Sequence, residues 1–219
     1  MCGIVGYIGN KKASEVLVSG LKRLEYRGYD SAGICTIEQA DLITTKCAGK
    51  VSDLEKNIKQ KTHNGSIGIG HTRWATHGIP NNINAHPHYD HSKNFSLIHN
   101  GIIENYIPLK KYLESKGYAF KSQTDTEVLV QFISYMYDRE KVSFFDSVRL
   151  ALKEVVGAYG IVVMHKENPD TLIAARNGSP LIVGLSKDEK FVSSDVSAVL
   201  EYTRNILYLE DGEIISLNH

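Results

Sequence analysis

A cysteine stands second in this chain, in the opening Met1-Cys2-Gly3-Ile4-Val5-Gly6. A small residue at that position permits removal of the initiator methionine, and Cys2 would then carry a thiol and a free α-amine on one residue. Unperturbed, the amine titrates near ~7.7–8.0 and the thiol near ~8.5. The amine is therefore suited to take the thiol's proton, directly or through one water, giving a nucleophile that needs no histidine partner. A retained Met1 would turn the amine into an amide, and such protein is expected to be inactive. A cysteine heading an apolar strand also serves as an ordinary small buried residue, so the reading depends on what else the chain supplies.

Acyl transfer needs donors for a developing oxyanion and groups that orient the substrate. His99-Asn100-Gly101 sits at a predicted strand end: Asn100 offers a side-chain NH₂, and Gly101 a backbone N–H that a ligand can approach closely. Asn-Gly is equally a plain turn signal. His71-Thr72-Arg73-Trp74-Ala75-Thr76-His77-Gly78 supplies Arg73, able to clamp a carboxylate through two parallel hydrogen bonds, and Trp74, a possible water-excluding lid. The bland counterparts are a surface arginine and a half-buried tryptophan. Asp125 could hold an ammonium, or simply offset the positive end of a helix.

A different chemistry is written in the histidines. Six of the nine lie between residues 71 and 99. His86-Pro87-His88-Tyr89-Asp90-His91 fits the His-x-His-x-Asp-His ligand pattern of metallo-β-lactamase-type zinc hydrolases, with His165 downstream. Against it, Pro80-Asn81-Asn82-Ile83-Asn84 is no apolar strand to aim such ligands. A catalytically silent regulatory or ammonia-gating domain is the third reading, since function lives in the site and not the fold.

The elements that must position these residues follow from periodicity. Strands are predicted over 2–9, 31–37, 41–47, 66–71 and 94–99, and helices over 13–25, 51–60 and 104–116. Thr124 reads as the N-cap of a helix running to about Tyr137, with Glu127 at its N3 position, and a further helix covers 144–155. After Gly157 the chain turns to β, over 159–165, 171–176, 180–185, 190–192, 206–209 and 213–217. Asn177-Gly178 and Asp211-Gly212 read as hairpin turns. The long stretch 72–93 has no apolar period but holds most of the histidines and Trp74, the mark of a functional loop and not a plain linker. Antiparallel hairpins with paired helices give α+β layers in one domain over residues 1–219.

The 219 residues, 42% of them hydrophobic, suffice for one substantial core. Lys plus Arg number 25 and Asp plus Glu 25, so there is no electrostatic footprint for nucleic acid or an anionic membrane. No apolar run is long enough to span a bilayer, and no signal peptide is evident. Three cysteines, Cys2, Cys35 and Cys47, form neither a disulfide framework nor metal-ligand spacing, which fits a cytoplasmic location.

Five motifs in order carry a resemblance: Cys2-Gly3-Ile4-Val5-Gly6; Arg23-Leu24-Glu25-Tyr26-Arg27-Gly28-Tyr29-Asp30-Ser31-Ala32-Gly33; His71 to Gly78; His99-Asn100-Gly101; and Thr124-Asp125-Thr126-Glu127. Together they resemble the class II glutamine amidotransferases, and among them the glutaminase domain of the glutamine–fructose-6-phosphate aminotransferase family, over essentially the whole chain. The resemblance implies a four-layer αββα sandwich of the N-terminal nucleophile hydrolase type. It implies that Cys2 attacks the side-chain amide of L-glutamine, that Asn100 and Gly101 form the oxyanion hole, and that Arg73 and Asp125 bind the substrate α-carboxylate and α-ammonium. Trp74, Thr76 and His77 would belong to a loop closing over glutamine, with Arg27 supporting the N-terminal residue. No metal and no organic cofactor are expected. A full family chain carries, in addition, a sugar-phosphate isomerase domain that binds fructose 6-phosphate, and the full-length protein is expected to be a homo-oligomer. The domain seen here should hydrolyse glutamine without by itself making the amino sugar.

Overall fold

The computed structural model describes residues 2–74 and 78–219. Twelve strands and five α-helices follow in the order β1 (Gly3–Ile8), α1 (Ala13–Leu24), β2 (Ser31–Glu38), β3 (Asp41–Ala48), α2 (Val51–Ile58), β4 (Ile67–Arg73), β5 (His88–Tyr89), β6 (Phe95–Ile103), α3 (Tyr106–Ser115), α4 (Asp125–Glu140), α5 (Phe144–Lys153), β7 (Gly157–His165), β8 (Thr171–Asn177), β9 (Ile182–Leu185), β10 (Lys190–Ser193), β11 (Ile206–Tyr208) and β12 (Ile214–Asn218). The strands form two antiparallel sheets, one ordered β11-β9-β10-β1-β4-β2-β3 and the other β12-β8-β7-β6-β5.

Strand side chains alternate between faces, and this alternation sorts the apolar residues into three layers of contact. Val5 and Tyr7 of β1, with Ala32 and Ile34 of β2, pack on Leu17 and Leu21 of α1 and Leu54 of α2. The intervening Ile4 and Ile8, with Ile67 and Ile69 of β4, meet Ile98 of β6 and Val162 and Met164 of β7 between the sheets. On the far side, Leu97, Ile161 and Val163 pack against Leu129, Ile133 and Val148 of α4 and α5. Three interfaces separate four layers, so the fold is the expected αββα sandwich.

The structure corrects three local expectations. Asn177-Gly178 and Asp211-Gly212 are not hairpin turns. Both glycines have positive φ, 77° and 85°, as turn chemistry requires, but each lies on a connection that leaves one sheet for the other. The two corners pin each other: Gly178 N–H donates to Asp211 Oδ1 (2.8 Å) and Gly212 N–H to the Arg176 carbonyl (2.8 Å). Asn100-Gly101 is no turn and no strand end; β6 continues to Ile103, with Asn100 opposite Gly160 and Gly101 opposite Tyr159 of β7. Within the predicted 72–93 loop, β4 reaches Arg73 and His88–Tyr89 adds a short strand beside β6.

Candidate active site

The alternation that builds the inter-sheet layer also delivers the polar cluster at its end. On β4, Ile67 and Ile69 point between the sheets, and period two carries the same face on to His71 and Arg73. On β6 the face of Ile98 continues to Asn100. Cys2 precedes β1 on the face of Ile4. Cys2, His71, Arg73 and Asn100 are thus the polar continuation of an apolar layer, and they line a cleft of about 390 Å³.

Within the cleft, Cys2 Sγ accepts a hydrogen bond from the Trp74 N–H at 3.1 Å. Burial pushes the Cys2 thiol above its ordinary value, with the Trp74 N–H acting the other way. A buried thiol in this setting needs a base. Asn100 Nδ2 donates to the Cys2 carbonyl at 3.1 Å, and Asn100 Oδ1 is 2.9 Å from His71 Nε2. Gly101 has φ +126°, and a side chain there would run into the Ala158 carbonyl oxygen. Only glycine fits this strand position, which leaves its backbone open to the cleft.

Two charged groups of opposite sign complete it. Arg73 is 4% exposed; its Nη2 donates to the Gly78 carbonyl at 3.0 Å, and Nη1 lies 3.9 Å from Asp30 Oδ1. Asp125 is the first residue of α4 and also 4% exposed, and its Oδ2 accepts from the Ile103 N–H at 2.8 Å. Thr124 caps α4, its Oγ1 accepting from Glu127 N–H at 3.2 Å. The Glu127 carboxylate does not complete a capping box; it turns back to accept from the Lys121 and Ser122 N–H groups, tying the entry loop to the helix. Arg27 lines the cleft and donates to the Ser194 carbonyl at 3.1 Å and to Asp195 Oδ2 at 3.4 Å. Trp74 is over half exposed, with its ring against Gly28, where any side chain would collide with it.

All seven expected site residues that are described (Cys2, Arg27, Arg73, Trp74, Asn100, Gly101 and Asp125) line this one cleft. Thr76, His77 and Met1 lie outside the described residues. Sequence reasoning assigned no role to His71, His99, Thr126, Ser179 or Pro180, which also line it, and read His86, another lining residue, only as a zinc ligand. His71 was findable from strand parity with Arg73, and Thr126 from its place in the first turn after the cap. Ser179 and Pro180 lie on the β8–β9 crossover, which the hairpin reading concealed.

The zinc pattern does not assemble. His86 Nε2 faces Thr126 Oγ1 (3.3 Å) and His88 Nε2 faces Thr124 Oγ1 (3.1 Å). Asp90 spends its carboxylate on the N–H groups of Ser92, Asn94 and Phe95 and on the hydroxyls of Ser92 and Ser134. His91 stands edge-on to the Tyr118 ring, 4.6 Å between centroids. Among the described residues no group of three or more His, Cys, Asp or Glu converges as a metal set. Burial holds His86 and His88 well below the usual range, and their neighbour His71 down to about 3, which favours neutral rings.

Comparison with known proteins agrees with this geometry. The glutamine amidotransferase domain family matches residues 71–201, well over half of the chain. The glutamine–fructose-6-phosphate aminotransferase (isomerizing) of Bacteroides thetaiotaomicron is 57% identical over 219 residues, covering 100% of this chain and 36% of that protein. Its namesake in Pyrococcus horikoshii is 51% identical over 213 residues, 97% of this chain and 36% of that protein. Among solved structures, the glutamine phosphoribosylpyrophosphate amidotransferase of B. subtilis, in complex with ADP and GMP, superposes with a TM-score of 0.84 at 29% identity, over 99% of this chain and 47% of that one. The chain therefore spans about a third of the length of the curated relatives it matches. With Cys2, Asn100 and two side chains of opposite charge gathered at the end of an αββα sandwich, this chain belongs to the glutamine amidotransferase family.

Proposed function

We propose that this chain hydrolyses L-glutamine to glutamate and ammonia through a thioester on Cys2. The observation that carries the reading is the cleft itself, where Cys2 Sγ, the Asn100 amide, Arg73 and Asp125 open onto one cavity. Glutamine's α-carboxylate and α-ammonium match Arg73 and Asp125 in sign, leaving its side chain to reach Cys2. After Met1 is removed, the freed α-amine takes the thiol proton. Sγ attacks the side-chain carbonyl carbon, and the oxyanion is held by the Gly101 N–H and by the second N–H of Asn100, the first being on the Cys2 carbonyl. Collapse breaks the C–N bond and ammonia leaves with the returned proton. Water then attacks the thioester, releases glutamate and restores the thiol. Arg27 braces the backbone behind Cys2, and Trp74, with Thr76 and His77, closes over the substrate.

In a longer chain the ammonia would serve an aminotransferase acting on fructose 6-phosphate in a sugar-phosphate isomerase domain, for amino-sugar synthesis. Residues 1–219 form the single glutaminase domain of such a protein. Among the described residues no helix is long and apolar enough to cross a membrane, and a cytoplasmic homo-oligomer is the setting this reading implies.

The test is peptide mapping by mass spectrometry after treatment with an electrophilic glutamine analogue, alongside an ammonia-release assay. One adduct is expected, on a peptide beginning at Cys2, blocked by excess glutamine, and C2A is expected to abolish both adduct and ammonia. An unmodified peptide that begins at Cys2 would overturn the proposal.

A further inference from the structure

We propose that His71 is a positioning residue for catalysis: its Nε2–H fixes the Asn100 side-chain amide so that Nδ2, and not Oδ1, faces Cys2. The inference rests on the glutaminase reading and adds to it a residue that never needs to touch glutamine.

The hydrogen-bond directions follow from what each atom is able to do. The Cys2 carbonyl oxygen, 3.1 Å from Asn100, only accepts. The Asn100 atom facing it must be Nδ2, which places Oδ1 toward His71 at 2.9 Å. Oδ1 also only accepts, so His71 must present a proton on Nε2. A neutral imidazole carries one proton, and the buried setting of His71 keeps the ring neutral. Its tautomer is thereby settled as Nε2–H, with Nδ1 bare.

The surroundings hold the ring that carries this donor in place. His71 sits on β4 opposite Ile4 of β1 and Gly33 of β2, and is fully buried. Its ring stacks on His86, 4.2 Å between centroids and 17° between planes. His86 is held in turn: its Nδ1 accepts from the His99 N–H at 3.3 Å, and its Nε2 lies 3.3 Å from Thr126 Oγ1 in α4. With the amide unheld, a half-turn about χ2 would exchange Oδ1 for Nδ2 and present an acceptor to a developing oxyanion, a repulsion in place of a stabilisation. A correct amide matters because loss of one oxyanion-hole donor typically costs about 10²–10³ in kcat.

The experiment compares three substitutions in the full, processed chain. The amide nitrogen of Gln reaches the place of Nε2, whereas that of Asn stops near the place of Nδ1. H71L and H71N are expected to lower kcat for glutamine hydrolysis by about 10²–10³, with KM within about threefold, and H71Q is expected to recover most of the rate. In an N100A background the H71N change should add little, since two residues acting through one interaction are not additive. Labelling of Cys2 by the electrophilic glutamine analogue in the wild type keeps the two proposals apart. Wild type that labels and turns over, together with H71N as active as H71Q or equally harmful with and without Asn100, overturns the role of His71 and leaves the glutaminase intact. Wild type that neither labels nor releases ammonia overturns the glutaminase reading first. Should H71L fail to fold, the H71N and H71Q pair decides.

Discussion

Asp125 shows how far one side chain can be split between structure and chemistry. One oxygen already accepts from the Ile103 N–H, and the charge stands where α4 begins, a place favourable to any anion. Asp125→Asn keeps the acceptor and the shape but removes the charge that would meet an α-ammonium. Hydrogen bonds to charged groups are worth about 1.5–3 kcal/mol, so the KM for glutamine should rise by about 10- to 100-fold, with a smaller change in kcat. Steady-state kinetics at saturating and limiting glutamine would check this, and an unchanged KM would remove Asp125 from substrate binding. At this scale the sequence was unusually legible. Cys2, Arg73, Asn100 and Asp125 bear side chains whose chemistry is uncommon in such settings, and all line the cleft. His71 was harder to read, because its part is to hold another side chain, and that is invisible until β1, β4 and β6 are placed together.

The turn between β2 and β3 carries the opposite lesson. Glu38 pairs with Asp41, so Gln39 and Ala40 form a two-residue loop, with φ values of 50° and 63°. Such loops favour Asn-Gly because both central residues need positive φ. The chain instead places Asn-Gly in the middle of β6, at Asn100-Gly101, and at Asn177-Gly178, where it crosses between sheets. A glycine announces an unusual backbone conformation but not which strands flank it, which is why local turn chemistry misassigned the two corners at Asn177-Gly178 and Asp211-Gly212. Left-handed conformations of ordinary residues cost about 1–2 kcal/mol each. The double change Gln39→Asn with Ala40→Gly should therefore raise the unfolding free energy by about 1 kcal/mol or more, with glutamine hydrolysis unchanged, as read by urea denaturation. Helices were better predicted than corners: α1, α4 and α5 appear within a few residues of expectation, since each buries one periodic face against a sheet.

At the level of the whole molecule, the buried histidines make the sandwich sensitive to acid. Burial lowers His71 to about 3 and His86 and His88 well below 6.5 in the folded protein. The unfolded chain, with histidines near 6.5, binds protons that the folded one refuses. Their contribution to stability is complete above pH 6.5 and is lost as pH falls below it. Three such residues should cost about 3 kcal/mol between pH 6.5 and 5.5. Urea titrations at the two pH values would measure it, and a flat profile would show that these rings are protonated in the native state. The four layers themselves could not be read from periodicity alone. Alternation says that a strand has two faces, but only the pairing of β1 with β4 and of β6 with β7 says that Ile4 and Ile98 share one layer. That layer is also a spacer of fixed thickness. Cys2 hangs from one sheet and Asn100 from the other, joined directly by a single hydrogen bond of 3.1 Å. The gap between Cys2 and Asn100 is thus gauged by the stacked widths of isoleucine, valine and methionine side chains deep in the interior. Wear at that remote bearing would put Cys2 and Asn100 out of alignment while both sheets were still intact.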